Sequence, residues 1–200
     1  ATAPLVYGGI PVFADVEPEY FCIDPKSVEA RITPRTKVII VVDIFGQVHD
    51  VSAFRALAKK YHLRIIEDCA QAPYAMFQRQ FAGTFGDIGV YSLNYHKHIH
   101  TGEGGMLVTN DDHLAERLRL IRNHAEAVVA GAKIKDLTNM DGFNFRMTEM
   151  QAAIGRVALK RLAGLVRARI RNCEYLSRRL SDMPGIRPAS VRPSTRHAYY

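Results

Sequence analysis

The chain has 200 residues and a mass of 22.4 kDa, with 48% hydrophobic, 24% charged and 9% aromatic residues. That is the composition of a globular domain with a real core, and it excludes collagen-like, disordered and membrane-spanning chains. The net charge of +7 is uneven: beyond residue 150, 11 Lys/Arg stand against only Glu174 and Asp182, whereas residues 1–150 carry 16 basic and 18 acidic residues and sum to −2.

The basic excess therefore belongs to one helix and a tail. No aromatic residues interleave with it for base stacking, so it reads as a solvated helix face with Arg stems lying over apolar surface. Neither nucleic acid nor a membrane is expected as a partner. Cys22, Cys69 and Cys173 are too few and too scattered for a disulfide framework or a Cys-x-x-Cys metal site, which points to a reducing, cytoplasmic compartment. The chain begins Ala1-Thr2-Ala3-Pro4 and stops at His197-Ala198-Tyr199-Tyr200, which has the look of the first half of a strand, so an internal segment of a longer protein is expected.

In chain order, Val12-Phe13-Ala14-Asp15-Val16 predicts a strand, and Asp24-Pro25 supplies an N-cap and an N1 proline for a short helix ending near Ile32. Residues 37–42 are apolar on both faces, as a buried parallel strand should be. Asp50 caps a helix whose Phe54, Leu57, Ala58 and Tyr61 share a face, and Arg64-Ile65-Ile66 predicts a strand ending in Glu67-Asp68. Strands at 88–93 and 106–109 flank a loop rich in His and Gly. Such alternation is the βαβ pattern of a largely parallel sheet covered by helices. From Asp111 the pattern turns helical, breaks over 126–145 and resumes as a long helix over 148–182. Its apolar positions are Met150, Ile154, Val157, Leu162, Leu165, Ile170, Cys173 and Leu176. At ~1.5 Å per residue it spans roughly 50 Å, long enough to bridge to a second domain or a partner subunit. Pro184-Gly185 ends it.

Three features bear on chemistry. Asp68 directly follows a buried strand, where open α/β sheets bind their ligands; its carboxylate either holds a cationic ring nitrogen or caps the next helix. Lys97 lies five residues after Ser92 and just before Gly102-Glu103-Gly104-Gly105. An amine held out of water among other cations becomes a nucleophile, as Schiff-base chemistry requires, although a lone Lys is ordinarily a solvated surface residue. His96, His98 and His100 alternate and on a strand would share one face as a zinc cluster, but the glycines favour a loop and no fourth ligand is evident, so no metal is expected. Gly83-Thr84-Phe85-Gly86-Asp87-Ile88-Gly89 is followed by a strand and is not a dinucleotide fingerprint.

Four motifs occur in order: Glu67-Asp68-Cys69-Ala70-Gln71-Ala72, the Gly83–Gly89 run, Ser92 with Lys97 and Gly102-Glu103-Gly104-Gly105, and Gly142-Phe143-Asn144-Phe145-Arg146-Met147-Thr148. Together they closely resemble the DegT/DnrJ/EryC1/StrS family of pyridoxal-phosphate-dependent sugar aminotransferases, over essentially all 200 residues. The resemblance implies an α/β, fold type I transferase with a seven-stranded, mostly parallel mixed sheet and flanking helices, working as a homodimer with shared active sites. It implies a partial large domain at 1–147, a connecting helix at 148–183 and the start of a small C-terminal domain at 184–200. A Gly-Thr phosphate loop and a ring-stacking aromatic would lie upstream of Ala1.

On the same resemblance, Lys97 forms the internal aldimine with pyridoxal 5'-phosphate and shuttles the substrate proton, and Asp68 holds the pyridine nitrogen protonated. Gln71 contacts the ring hydroxyl or face, Ser92 binds the phosphate, and Asn144 reaches the neighbouring subunit's phosphate. Read singly, Gln71, Ser92 and Asn144 are turn or cap polar groups. The implied activity is amino transfer from an amino acid, with glutamate expected, to a keto-sugar, expected to be nucleotide-linked. Two alternatives stand beside it: a pyridoxamine-phosphate sugar dehydratase of the same fold, which carries His where Lys97 stands, and a regulatory protein retaining the fold.

Overall fold

The computed structural model describes residues 2–126 and 140–200. The elements are α1 (Ala3–Val6), α2 (Pro25–Glu29), β1 (Val38–Val42), α3 (Val51–Tyr61), β2 (Arg64–Asp68), β3 (Met76–Phe77), β4 (Gln80–Phe81), β5 (Ile88–Ser92), β6 (Gly105–Val108), α4 (Asp112–Ile121), α5 (Glu149–Leu180) and β7 (Thr195–Arg196). A four-stranded sheet has the order β1-β2-β5-β6, with the first three strands parallel and β6 antiparallel. The seven-stranded sheet of the resemblance is represented here by these four. The two-residue strands β3, β4 and β7 form a separate antiparallel sheet.

Local chemistry accounts for the helix ends. Asp24 accepts Lys26 N at 3.0 Å to start α2, and Asp50 accepts Ala53 N at 2.9 Å to start α3. Helix α2 is shorter than predicted because Arg31 N and Ile32 N bond i−3 carbonyls in a tightened turn. Thr148 and Gln151 form a reciprocal capping box that opens the 32-residue α5.

Four expectations are corrected. Residues 12–16 contribute only an isolated bridge, Val16 to Ile23, because no strand among the described residues lies alongside them. Strand β1 is buried on one face only: Ile39 and Val41 point into a core with Phe54, Leu57 and Ile65, while Val38 and Ile40 are exposed on the other face of an edge strand. Of the predicted α5 stripe, only Leu162 is buried and Ile170 packs against the core, whereas Met150, Ile154, Val157, Leu165 and Leu176 are exposed. The helix meets the described core near its middle, where Val166, absent from the predicted stripe, is fully buried. Finally, the terminal strand is Thr195–Arg196, paired with β3, and not 197–200.

The glycine-rich run Gly83–Gly89 is structural. Glu67 is buried, and its Oε1 accepts Phe85 N at 2.6 Å and Gly86 N at 2.5 Å while Oε2 accepts Gly83 N at 2.8 Å. Gly89 backs onto the Gly83 carbonyl so closely that no Cβ fits. The turn is thus wound around one carboxylate, whose pKa burial raises despite these donors. Glu67→Gln keeps the shape but turns one acceptor into an N–H donor facing another donor. We expect a loss of about 1–3 kcal/mol, seen as a lower urea midpoint at unchanged slope.

Candidate active site

Strands β1, β2 and β5 run parallel, so their carboxyl ends open on one side of the sheet. Asp68 ends β2, beside Val42 of β1 and Val90 of β5, and Ser92 ends β5. The loop after β1 is locked to this edge. Asp43 N bonds Asp68 O at 3.0 Å, and the buried Asp43 carboxylate accepts His49 Nδ1 at 2.7 Å and Cys69 Sγ at 3.3 Å. Burial, then Asp43, raise the Cys69 thiol's pKa, so it stays a protonated donor. Asp43, Glu67 and Cys69 stand close enough together for a metal, but these internal bonds already engage all three side chains.

Asp68 Oδ1 accepts Ala70 N at 3.0 Å, and among the described residues no group bonds its Oδ2. Gln71 Oε1 accepts Phe45 N at 2.7 Å and so holds a residue with φ of +56°. Ser92 Oγ accepts Asn94 N at 3.2 Å and retains its own hydrogen for a ligand. Lys97 lies in a turn closed by its N–H on Asn94 O at 3.0 Å, and Asn94 Nδ2 bonds Glu103 of the following glycine turn at 2.7 Å. Asp68, Gln71, Ser92 and Lys97 all lie at or just beyond the carboxyl ends of β2 and β5. Asn144 does not join them: it precedes α5, bridges Asn123 and accepts Arg146 N at 3.3 Å.

The three loop histidines do not gather as a metal cluster. His96 and His100 are exposed, while His98 turns inward and bonds Tyr199 O through Nε2 at 3.0 Å. Burial pushes its pKa down, so it puts no positive charge beside Lys97. The sequence gives no hint that residues 197–200 belong to this edge. Ala198 N bonds Gly46 O at 2.9 Å, Tyr200 N bonds Phe45 O at 2.8 Å, and Tyr200 reaches Lys97. Gly46, at φ +92°, is required there, since a Cβ would lie 2.6 Å from Tyr199 N.

One comparison decides the family. The model of the DegT/DnrJ/EryC1/StrS aminotransferase family matches residues 1–200. The chain belongs to that family. It is 35% identical over 208 residues to an L-glutamine:2-deoxy-scyllo-inosose aminotransferase of Streptoalloteichus tenebrarius, covering 100% of this chain and 49% of that protein. It is 43% identical over 164 residues to a UDP-N-acetyl-3-dehydro-alpha-D-glucosamine 3-aminotransferase of Acidithiobacillus ferrooxidans, covering 82% and 43%. An aminotransferase structure from Psychrobacter cryohalolentis superposes with a TM-score of 0.88 at 33% identity, over 96% of this chain and 52% of that one. The fold is that of these aminotransferases, and the chain spans about half the length of the relatives it matches. No helix of the described residues is long and apolar enough to cross a membrane.

His197 makes the terminal segment sensitive to acid. It is buried and stacked 4.1 Å from Tyr199, its Nδ1 accepts Tyr199 N at 2.9 Å, and burial lowers its pKa to about 4. A depressed histidine pKa stabilises the fold above ~6.5, the unfolded value, and this contribution is lost as pH falls from there toward 4. Urea unfolding at stepped pH should show it as a loss on the order of 3 kcal/mol by pH 4, at 1.36 kcal/mol per unit. In His197→Gln, which cannot titrate, that component of the slope should vanish.

Proposed function

We propose that the protein containing this chain transfers an amino group from an amino acid to a keto-sugar, using pyridoxal 5'-phosphate. The observation that carries the reading is that Asp68 and Ser92 end two paired parallel strands and that Lys97 stands in the turn that follows the second. The donor set suits this cofactor: a primary amine for its aldehyde, an uncommitted carboxylate oxygen for its ring nitrogen, and a hydroxyl with a free hydrogen for its phosphate. When bound, the cofactor supplies an aldehyde that exchanges amines and a ring that withdraws electrons.

The residues divide the remaining work. Lys97 Nζ holds the cofactor and moves the proton at the substrate carbon. Asp68 Oδ2 keeps a proton on the ring nitrogen through its opposite charge. Gln71 lends its amide N–H to the ring side while its oxygen fixes Phe45. Ser92 donates to the phosphate, and Asn144, on its separate loop, serves the site of a second subunit in a homodimer. The fold is divided as a large domain at 1–147, a connecting helix at 148–183 and the start of a small domain at 184–200, in a cytoplasmic enzyme of surface-polysaccharide or amino-sugar biosynthesis. Names of relatives support a cyclitol or nucleotide-linked sugar as acceptor class. Lys97 is the observation against the dehydratase alternative.

Adding glutamate to the full-length holoprotein should convert the absorbance of the lysine-bound cofactor to that of the amine form, and 2-oxoglutarate should restore it. Glutamine in place of glutamate tests the donor. If no amino acid moves the spectrum while a deoxysugar loses water, the reading is wrong and the dehydratase takes its place.

A further inference from the structure

We propose that Tyr200 is a catalytic residue of this site, whose phenol and ring together hold the Lys97 amine in place whenever it is free of cofactor. Lys97 Nζ lies 3.2 Å from Tyr200 Oη and 4.4 Å from the centre of its ring, so one residue supplies both a hydrogen bond and a π-face. A lysine amine sits on a flexible four-carbon stem with high rotamer entropy, so an unheld amine leaves its working position easily. A phenol also suits both states of the amine. Its oxygen accepts from the ammonium, and its hydrogen donates to the neutral nitrogen, so Lys97 keeps a partner before and after it gives up a proton.

The contact is built and not incidental, because groups from four parts of the chain fix the segment that carries it. Tyr200 N bonds Phe45 O, and Phe45 N is held by Gln71 of the loop after β2. Tyr199 O accepts both His98 Nε2 at 3.0 Å and Arg169 Nη1 of α5 at 3.3 Å. A carbonyl only accepts, so the His98 proton sits on Nε2, and Nδ1 is left buried with no partner among the described residues. His98 is thus committed to the segment that places Tyr200 over its own neighbour, Lys97. Gly46 admits the segment where any side chain would collide.

The proposal rests on Lys97 being the cofactor-bearing amine, and the test separates the two. In the full-length holoenzyme, Tyr200→Phe keeps the ring and loses Oη, and Tyr200→Leu loses both. Tyr200→Phe removes a single oxygen and keeps the packing of the ring. Tyr200→Phe should lower kcat about tenfold, as loss of one hydrogen bond to a charged group does, with KM for the amino donor within about twofold. Tyr200→Leu should lower kcat further. In cofactor-free protein, Tyr200→Leu should let an acylating reagent label Lys97 several-fold faster relative to Lys59 than wild type does, because the covering ring is gone. Borohydride reduction and peptide mapping are run on every form. Wild-type kcat and labelling with the adduct still on Lys97 would overturn the role of Tyr200 alone. An adduct on another lysine in the wild type would overturn the reading on which it rests.

Discussion

Lys97→His is expected to abolish the absorbance band of lysine-bound cofactor and to lower transamination by orders of magnitude, while added pyridoxamine phosphate still binds. The reasoning is chemical. An imidazole can accept and release protons but cannot form the reversible covalent bond that a primary amine makes with an aldehyde. On the proposed function Asp68, Gln71 and Ser92 supply the ring and phosphate contacts, and the substitution leaves them alone, so affinity for the amine form of the cofactor should persist. The wild type tests the same point directly. After borohydride reduction, peptide mass mapping should place the pyridoxyl adduct on Lys97. Lys60 is an unsuitable substitute, because it is exposed and paired to Glu29 of α2 at 2.7 Å. An adduct on Lys59 or Lys60 would sink the assignment.

Asp68 should show the next largest effect, and the geometry allows its two possible roles to be separated. Its Oδ1 already accepts Ala70 N at 3.0 Å, a local turn worth about 1 kcal/mol in the manner of a helix cap, while Oδ2 is free of protein partners among the described residues. Asp68→Asn keeps an oxygen for Ala70 and removes the charge; Asp68→Ala removes both. If the charge matters because it keeps the ring nitrogen protonated, both variants should lose turnover by orders of magnitude while the protein stays folded and Lys97 still takes the cofactor. If Asn restores nearly full activity and Ala costs less than about tenfold, Asp68 is only a turn residue. Spectra of the bound cofactor distinguish these outcomes without turnover, since loss of the ring proton shifts the absorbance.

Much of this protein was legible in its sequence because the relevant signals are local. Caps at Asp24 and Asp50, the apolar runs of β1 and β2, and the Gly-Glu-Gly-Gly turn each specify a structure within a few residues of themselves. Parallel strands place whatever follows them on one side of the sheet, so position alone made Asp68 a candidate ligand group, whereas Ser92 was a candidate only through the family resemblance. The family resemblance rests on motifs of the same short range. What only the tertiary structure decided involves partners far apart in the chain. Glu67 sits beside Asp68, yet its role as the post around which Gly83–Gly86 winds depends on backbone donors 16 to 19 residues away. Whether β1 and α5 bury one face or two depends on what packs against them, which apolar periodicity does not encode. Tyr200 lies 103 residues from Lys97, and its place over the amine follows from backbone hydrogen bonds to Phe45 and Gly46, groups that every sequence possesses and none advertises.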